Sequence, residues 1–163
     1  MTTRASIAGH PLHPMLVNIP IGLWVFSLVC DFVYVGTDDV RWAVTAYFTL
    51  GGGVIGALLA AVPGLIDLLG LRDARAVRIG TYHLVLNLAI VAVQAVNFWL
   101  RMDDGGDVGV LPRAISIVAI VALVISGWLG WHLVHIFGVT QPDHPEHASK
   151  VATHHRDEAH RRT

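Results

Sequence analysis

The 163-residue sequence has few charged residues and almost no cysteine, and each shortage excludes classes of protein. Eleven Lys and Arg with twelve Asp and Glu make up 14% of the chain, whereas a soluble domain usually carries about a quarter. So few charges cannot cover the surface of a soluble enzyme of this size. A formal net charge of −1 leaves no basic surface for nucleic acid. The single cysteine, Cys30, excludes an internal disulfide and any multi-cysteine zinc or iron–sulfur site.

What the sequence has instead is four long apolar runs. Hydrophobic residues make up 54% of the chain, and the mean hydropathy is +0.59. The runs cover residues 15–35, 42–69, 79–100 and 114–139. Each reaches the roughly 20 residues that a helix needs to cross a bilayer, where backbone polar groups must bond internally. The sequence therefore predicts an all-α integral membrane protein, an up-down-up-down four-helix bundle embedded in the lipid bilayer.

The apolar runs divide the chain into three predicted regions. Residues 1–14 form an N-terminal His-Pro segment, and residues 15–140 form the four-transmembrane-helix domain. Residues 141–163 are polar and rich in His, Glu and Arg, a composition that predicts a disordered, His-rich cytoplasmic tail.

Positive charges are unevenly shared between the two ends of the predicted bundle. The end with both termini carries Arg4, Arg72, Arg75, Arg78, Lys150, Arg156, Arg161 and Arg162, and the other end carries Arg41, Arg101 and Arg113. Because cytoplasmic loops are enriched in Lys and Arg, both termini are predicted to lie in the cytoplasm.

Ten histidines are many for a chain with so few charges. Five lie in the tail and are interpreted as solvated residues or weak metal ligands. The others all fall at the predicted cytoplasmic end of the bundle; they are His10, His13, His83, His132 and His135. Ionisable side chains near or inside a membrane usually mark a functional site, so a shared polar or metal-linked site is expected there. The alternative is a set of interfacial residues satisfied by backbone carbonyls and water.

The candidate ligand pair is His83 and His132, because both lie at a similar depth on antiparallel spans. His10 and His13 are alternate ligands. Each precedes a proline and is expected to be extended, which would place their rings about 9 Å apart, too far to bind one ion together. Asp67 and Asn87 are predicted to lie behind the ligands and fix their tautomers.

Small residues recur every four positions in the second and fourth spans. They are Gly52, Gly56, Ala60 and Gly64, then Ala122, Ser126 and Gly130. This spacing favours close helix packing, and a smooth groove for a planar cofactor is the alternative. Asp31, near the outer end of the first span, is interpreted as a protonated or hydrogen-bonded interfacial residue, with an ion pair as the alternative.

A run near the N-terminus reads Gly9-His10-Pro11-Leu12-His13-Pro14-Met15-Leu16-Val17, and Pro20-Ile21-Gly22 follows it. With Asp31, Gly64-Leu65-Ile66-Asp67, His83, Asn87 and residues 127–134, this run resembles a bacterial membrane family called domain of unknown function 2231. The resemblance covers about residues 8 to 140. It implies a four-helix domain in the bacterial inner membrane and no established activity. Trp131 and His135 depart from the family pattern, which makes His135 a poor candidate ligand.

Three functions are compatible with these features. The first is a redox module that binds a transition metal or haem b; no Cys-x-x-Cys-His motif is present, so any haem would be non-covalent. The second is a non-catalytic structural or assembly subunit that binds a membrane-protein partner or a second copy of itself. The third is a proton- or solute-conducting protein. No catalytic residue is predicted, and whether the protein is an enzyme stays open.

Overall fold

A computed structural model describes residues 5–8, 10–102 and 109–137. Two short strands, β1 (Ser6–Ile7) and β2 (His10–Pro11), pair in an antiparallel hairpin before the short helix α1 (Leu12–Leu16). Four long helices follow: α2 (Asn18–Thr37), α3 (Val40–Gly70), α4 (Ala74–Leu100) and α5 (Val110–Phe137). The predicted tail, residues 141–163, lies outside the described residues.

Four helical segments are long and apolar enough to cross a membrane, judged by length and composition. They are Leu12–Thr37, Val40–Gly70, Ala74–Leu100 and Val110–Phe137. Their mean hydropathies lie between 1.7 and 2.2. The prediction of an all-α bundle with four spans is confirmed.

Aspartates fix the helix ends at two of the connections. The Asp39 carboxylate accepts the Arg41 amide at the start of α3, and the Asp73 carboxylate accepts the Arg75 and Ala76 amides at the start of α4. These bonds satisfy amides that have no partner within the helix. Asp38 ends α2 in the left-handed conformation, with φ of 57°. Such short connections make consecutive helices antiparallel neighbours.

The helices associate mainly as two hairpins, α2 with α3 and α4 with α5, around a small apolar core. That core contains Trp24, Leu50, Ile90 and Ala119. A Cβ added at Gly56 would meet Ile19 and Pro20 at 3.4 Å, and one added at Gly52 would meet Leu23 at the same distance. The helix-packing interpretation of the small residues in α3 is therefore confirmed.

Polar side chains are buried at the end of the bundle opposite the N-terminus. The Arg101 guanidinium donates to both carboxylate oxygens of Asp31, each at 2.8 Å, and the two side chains are 1% and 0% exposed. Arg101 also donates to Asn97 Oδ1 and Ser116 Oγ. Asp31 is thus an ion-pair partner, and the interfacial interpretation was wrong. Arg101 is buried as well, although its position beside a loop made it look like a loop cation.

The His-Pro segment also differs from expectation. His10 is extended in β2 as predicted, but His13 is helical and belongs to α1. Pro14 lies in the first turn of that helix, where a missing N–H costs no helical hydrogen bond. The Leu12 amide donates outside the helix instead, to the Ala5 carbonyl at 3.0 Å.

Candidate functional site

A cavity of about 320 Å³ lies between the two hairpins at the end that carries α1. All four long helices and α1 contribute to its walls, which are mostly aliphatic, glycine and alanine. Its few polar residues are His13, Asp67, His83, Asn87 and Ser126. A predominantly apolar cavity with a small set of polar groups is typical of a ligand-binding site.

The His13 ring is hydrogen-bonded to the backbone of α3. Its Nδ1 lies 2.8 Å from the Ala60 carbonyl oxygen. Because a carbonyl can only accept, Nδ1 carries the proton, and Nε2 of the neutral ring keeps a lone pair. The ring lies over Gly64, where an added Cβ would be 2.7 Å from Nδ1. A glycine is therefore required for this close approach.

His83 repeats the arrangement on the other hairpin. Its Nδ1 lies 2.9 Å from the Ser126 carbonyl oxygen, so this nitrogen is also the proton donor. A Cβ at Gly130 would lie 3.2 Å from the His83 ring. In each hairpin the histidine donates to a carbonyl and covers a glycine four residues further along the same helix.

The two imidazoles approach each other across the cavity. Their ring centroids are 6.2 Å apart, and their planes are perpendicular, at 90°. Among the described residues, neither Nε2 atom takes part in a hydrogen bond. The site thus contains two imidazoles, one against each hairpin, that are held through Nδ1 and whose Nε2 atoms bond to no described residue.

Asn87 and Asp67 were predicted to fix the tautomers of the histidine ligands, but neither bonds directly to an imidazole in the described structure. The tautomers of His13 and His83 are fixed by backbone carbonyls. Asn87 Nδ2 donates to the Ser126 hydroxyl at 2.6 Å, and that hydroxyl lies 3.1 Å from His83 Nδ1. Asp67 accepts the Ala5 amide at 2.9 Å, so its bond is to the N-terminal segment.

The predicted pair of His83 and His132 is not brought together. His132 is absent from the cavity lining, and its ring lies 6.0 Å from that of Phe137. His132 lies two positions after Gly130, which is a rotation of about 200° around a helix. Because Gly130 faces His83, His132 faces away from it. Equal depth was the wrong criterion for pairing, because it ignores the direction of each side chain.

The two remaining histidines of this end also lie outside the cavity lining. His10 is exposed, and its Nδ1 is 3.1 Å from the Ala8 carbonyl. His135 stacks on Trp131 with ring centroids 4.7 Å apart. The small residues Gly64 and Gly130 were visible in the sequence, but no sequence signal shows which histidine covers each of them.

The donor set limits which metal centre the described residues can form. They contain no group of three or more His, Cys, Asp or Glu side chains arranged around one point. A structural or catalytic zinc ion needs at least three such ligands. Haem iron needs only one or two protein ligands, because the macrocycle supplies the other nitrogens.

The fold and this cavity define a class of protein: a multi-pass helical membrane protein with a histidine-lined internal site. Within that class, residues 9–143 match the model of the family described as "Predicted membrane protein (DUF2231)". The chain belongs to this family. No curated protein and no solved structure gives a significant match.

Proposed function

We propose that this protein is a haem-binding electron-transfer module of the bacterial inner membrane, with His13 and His83 as the axial ligands. The observation that carries the proposal is the paired arrangement of these two rings in one apolar cavity. Each ring is held by its Nδ1 proton on a backbone carbonyl, which is how metal-binding histidines are usually oriented.

The separation of the rings fits coordination of one iron from both sides. A metal–imidazole bond is about 2.0 Å and a ring nitrogen lies about 1.1 Å from its centroid, so two opposed ligands place their centroids about 6 Å apart. The centroids of His13 and His83 are 6.2 Å apart. His132 then has no place at the iron, because it does not line the cavity.

The walls of the cavity suit a flat, apolar macrocycle. Gly64 and Gly130 lie directly beneath the two imidazoles, and Ala57 and Ala61 add further small side chains. A volume of about 320 Å³ lies within the range of small-molecule sites. The space over Gly64 and Gly130 is taken by the His13 and His83 rings, so a macrocycle would lie between the rings and not against the glycines.

Two histidine ligands determine what chemistry the site would support. Haem supplies one-electron redox chemistry when it is bound. If both imidazoles bound the iron, they would leave no coordination position for dioxygen or a substrate, which would favour electron transfer over oxygen activation. The walls around the imidazoles are mostly apolar, which suits the hydrophobic faces of a macrocycle.

The charge distribution supports a cytoplasmic location for the cavity end. Arg72, Arg75 and Arg78 are exposed next to the helix ends that line the cavity. At the opposite end, Arg101 is paired with buried Asp31 and Arg41 with Asp39. The positive-inside rule counts loop cations, and buried Arg101 is not one, so the three exposed arginines support cytoplasmic termini.

Absorption spectroscopy of the purified protein tests the haem proposal. Wild-type protein from haem-replete cells should show the sharp reduced bands of six-coordinate, low-spin haem. His13→Ala and His83→Ala should each lose these bands or convert to a five-coordinate spectrum. His132→Ala and His10→Ala are matched controls and should keep the wild-type spectrum, because neither side chain lines the cavity. Colourless wild-type protein would overturn the proposal.

One observation favours a second candidate, a non-catalytic assembly subunit. Both imidazoles already donate to the backbone of a neighbouring helix, so each could serve helix packing alone. In that case His13→Ala and His83→Ala would lower the melting temperature of a protein that never carries a chromophore. The same set of variants therefore separates the two functions.

A further inference from the structure

Asp67 lines the cavity, but among the described residues it is hydrogen-bonded to neither imidazole. Its Oδ1 accepts the backbone amide of Ala5 at 2.9 Å, across 62 residues of sequence. Ala5 is 8% exposed, although it lies close to the N-terminus. The carboxylate is thus an anchor for the beginning of the chain at the rim of the cavity.

From Ala5 the connection continues to α1. The Ala5 carbonyl accepts the Leu12 amide at 3.0 Å, and the β1–β2 hairpin between them is closed by the pairing of Ser6 with Pro11. Helix α1 has no side-chain cap at its N-terminus. The Ala5 carbonyl therefore does for Leu12 what a capping side chain does for other helices.

The residue after Leu12 is the cavity histidine, His13. Helix α1 is only five residues long and none of its residues is fully buried, so it is not stable by itself, although it packs against α3 and α2. Two hydrogen bonds hold its N-terminal turn: the Leu12 amide donates to Ala5, and the His13 ring donates to Ala60. If Ala5 is released from Asp67, we expect its hydrogen bond to the Leu12 amide to be lost as well.

We propose that Asp67 is a positioning residue for His13, acting through the hydrogen bonds from Asp67 to Ala5 and from Ala5 to Leu12. This inference rests on the proposed function, in which His13 is a haem ligand. Asp67 acts as a hydrogen-bond acceptor, and its negative charge is not required, because the group that it binds is a neutral amide. An asparagine at this position keeps such an oxygen, whereas an alanine does not.

The test compares Asp67→Ala, Asp67→Asn and wild type by two measurements. The first is hydrogen exchange of the Leu12 amide, which does not depend on haem. The second is haem affinity together with the axial-ligand spectrum. Asp39→Ala is the matched control, because Asp39 also accepts a backbone amide, that of Arg41, but at the other end of the bundle.

We expect Asp67→Ala to speed Leu12 exchange about ten-fold, the effect of losing one hydrogen bond of ordinary strength. Haem affinity should fall about ten-fold or more, as it does when support behind a metal ligand is removed, and a five-coordinate fraction should appear. Asp67→Asn should restore both properties. Asp39→Ala should change neither.

Several results would overturn the inference. Unchanged Leu12 exchange in Asp67→Ala would show that the anchor does not order α1. Faster exchange with unchanged haem ligation would show that α1 order does not position His13. A loss in Asp67→Asn equal to that in Asp67→Ala would show that charge is what matters. If wild type binds no haem, the proposed function and this role fail together, and the exchange result still decides whether Asp67 orders α1.

Discussion

Asp31 and Arg101 are the two charged side chains that are buried in the described part of the chain. Their carboxylate and guanidinium form two bonds of 2.8 Å, and Asn97 and Ser116 occupy further guanidinium donors. The network joins α2, α4 and α5 at the end opposite the cavity. Removing one partner would leave an unpaired charge in an apolar environment, which is far more costly than the pair itself is stabilising.

We therefore predict that Asp31→Ala lowers the free energy of unfolding by about 3–5 kcal/mol. Replacing both partners with leucine should recover much of that loss, because no charge is left unpaired. Thermal unfolding of the detergent-solubilised variants measures both effects. Arg41→Ala is the control and should leave the melting temperature nearly unchanged, since Arg41 and Asp39 pair in solvent. Equal stability of Asp31→Ala and wild type would contradict the prediction.

The positions of Asp31 and Arg101 along the spans could be predicted from the sequence, but their ion pair could not. Composition and hydropathy place Asp31 and Arg101 near span ends, but a contact across 70 residues leaves no local signal. Counting Arg101 as a loop cation was reasonable from its position and wrong because its side chain folds into the bundle. The histidines show the same limit, since depth was readable and side-chain direction was not.

At the scale of helices, close approach is the feature that organises the site. α3 and α5 each offer a carbonyl to a histidine and a glycine four residues later beneath its ring. The spacing of small residues was visible in the sequence and correctly indicated helix packing. The sequence did not show that α1 would pack against these small residues, because residues 10–14 were expected to be extended. The Leu12 amide at the start of α1 bonds to the distant Ala5 carbonyl, a contact that leaves no local signal.

Gly64→Ala tests this close approach. The new Cβ would lie 2.7 Å from His13 Nδ1, so the ring must move and its bond to Ala60 must break. We predict a loss of about 1–3 kcal/mol in unfolding free energy, the usual cost of overpacking, together with loss of bound haem. Melting curves and haem content are the measurements.

Gly22→Ala is the matched helical control, because a Cβ there meets nothing within 4 Å. It should melt at or slightly above the wild-type temperature, since alanine favours helix over glycine. If Gly64→Ala behaved like Gly22→Ala, the ring of His13 would not be held against α3 as described.

At the scale of the whole molecule, several polar side chains are buried beside the apolar core, and many large apolar side chains are exposed. Asp31, Gln94, Asn97 and Arg101 are buried, while Phe48 and Val124 are 68% and 71% exposed. This distribution is expected where lipid replaces water around the helices. The apolar exterior was predictable from the four apolar runs, whereas the burial of Asp31 and Arg101 was not.

Orientation across the membrane can be measured with single cysteines. Gly36→Cys and Arg75→Cys place thiols at opposite ends of the bundle, and both positions are exposed. With a membrane-impermeant maleimide on intact cells, we predict labelling of Gly36→Cys alone, and labelling of Arg75→Cys only after the cells are opened. The native Cys30 is 0% exposed and should stay unlabelled in the folded protein. The reverse pattern would contradict cytoplasmic termini.

The proposed function requires that His13 and His83 hold one haem between the two hairpins. Electron paramagnetic resonance of the oxidised wild-type protein tests it most directly, because the signal reports both ligation and the relative orientation of the ligand planes. The rings are perpendicular, so we predict a low-spin ferric signal of the highly anisotropic type, absent from His13→Ala and retained in His132→Ala. Absence of any low-spin haem signal from wild type, or an unchanged signal in His13→Ala, would contradict the account.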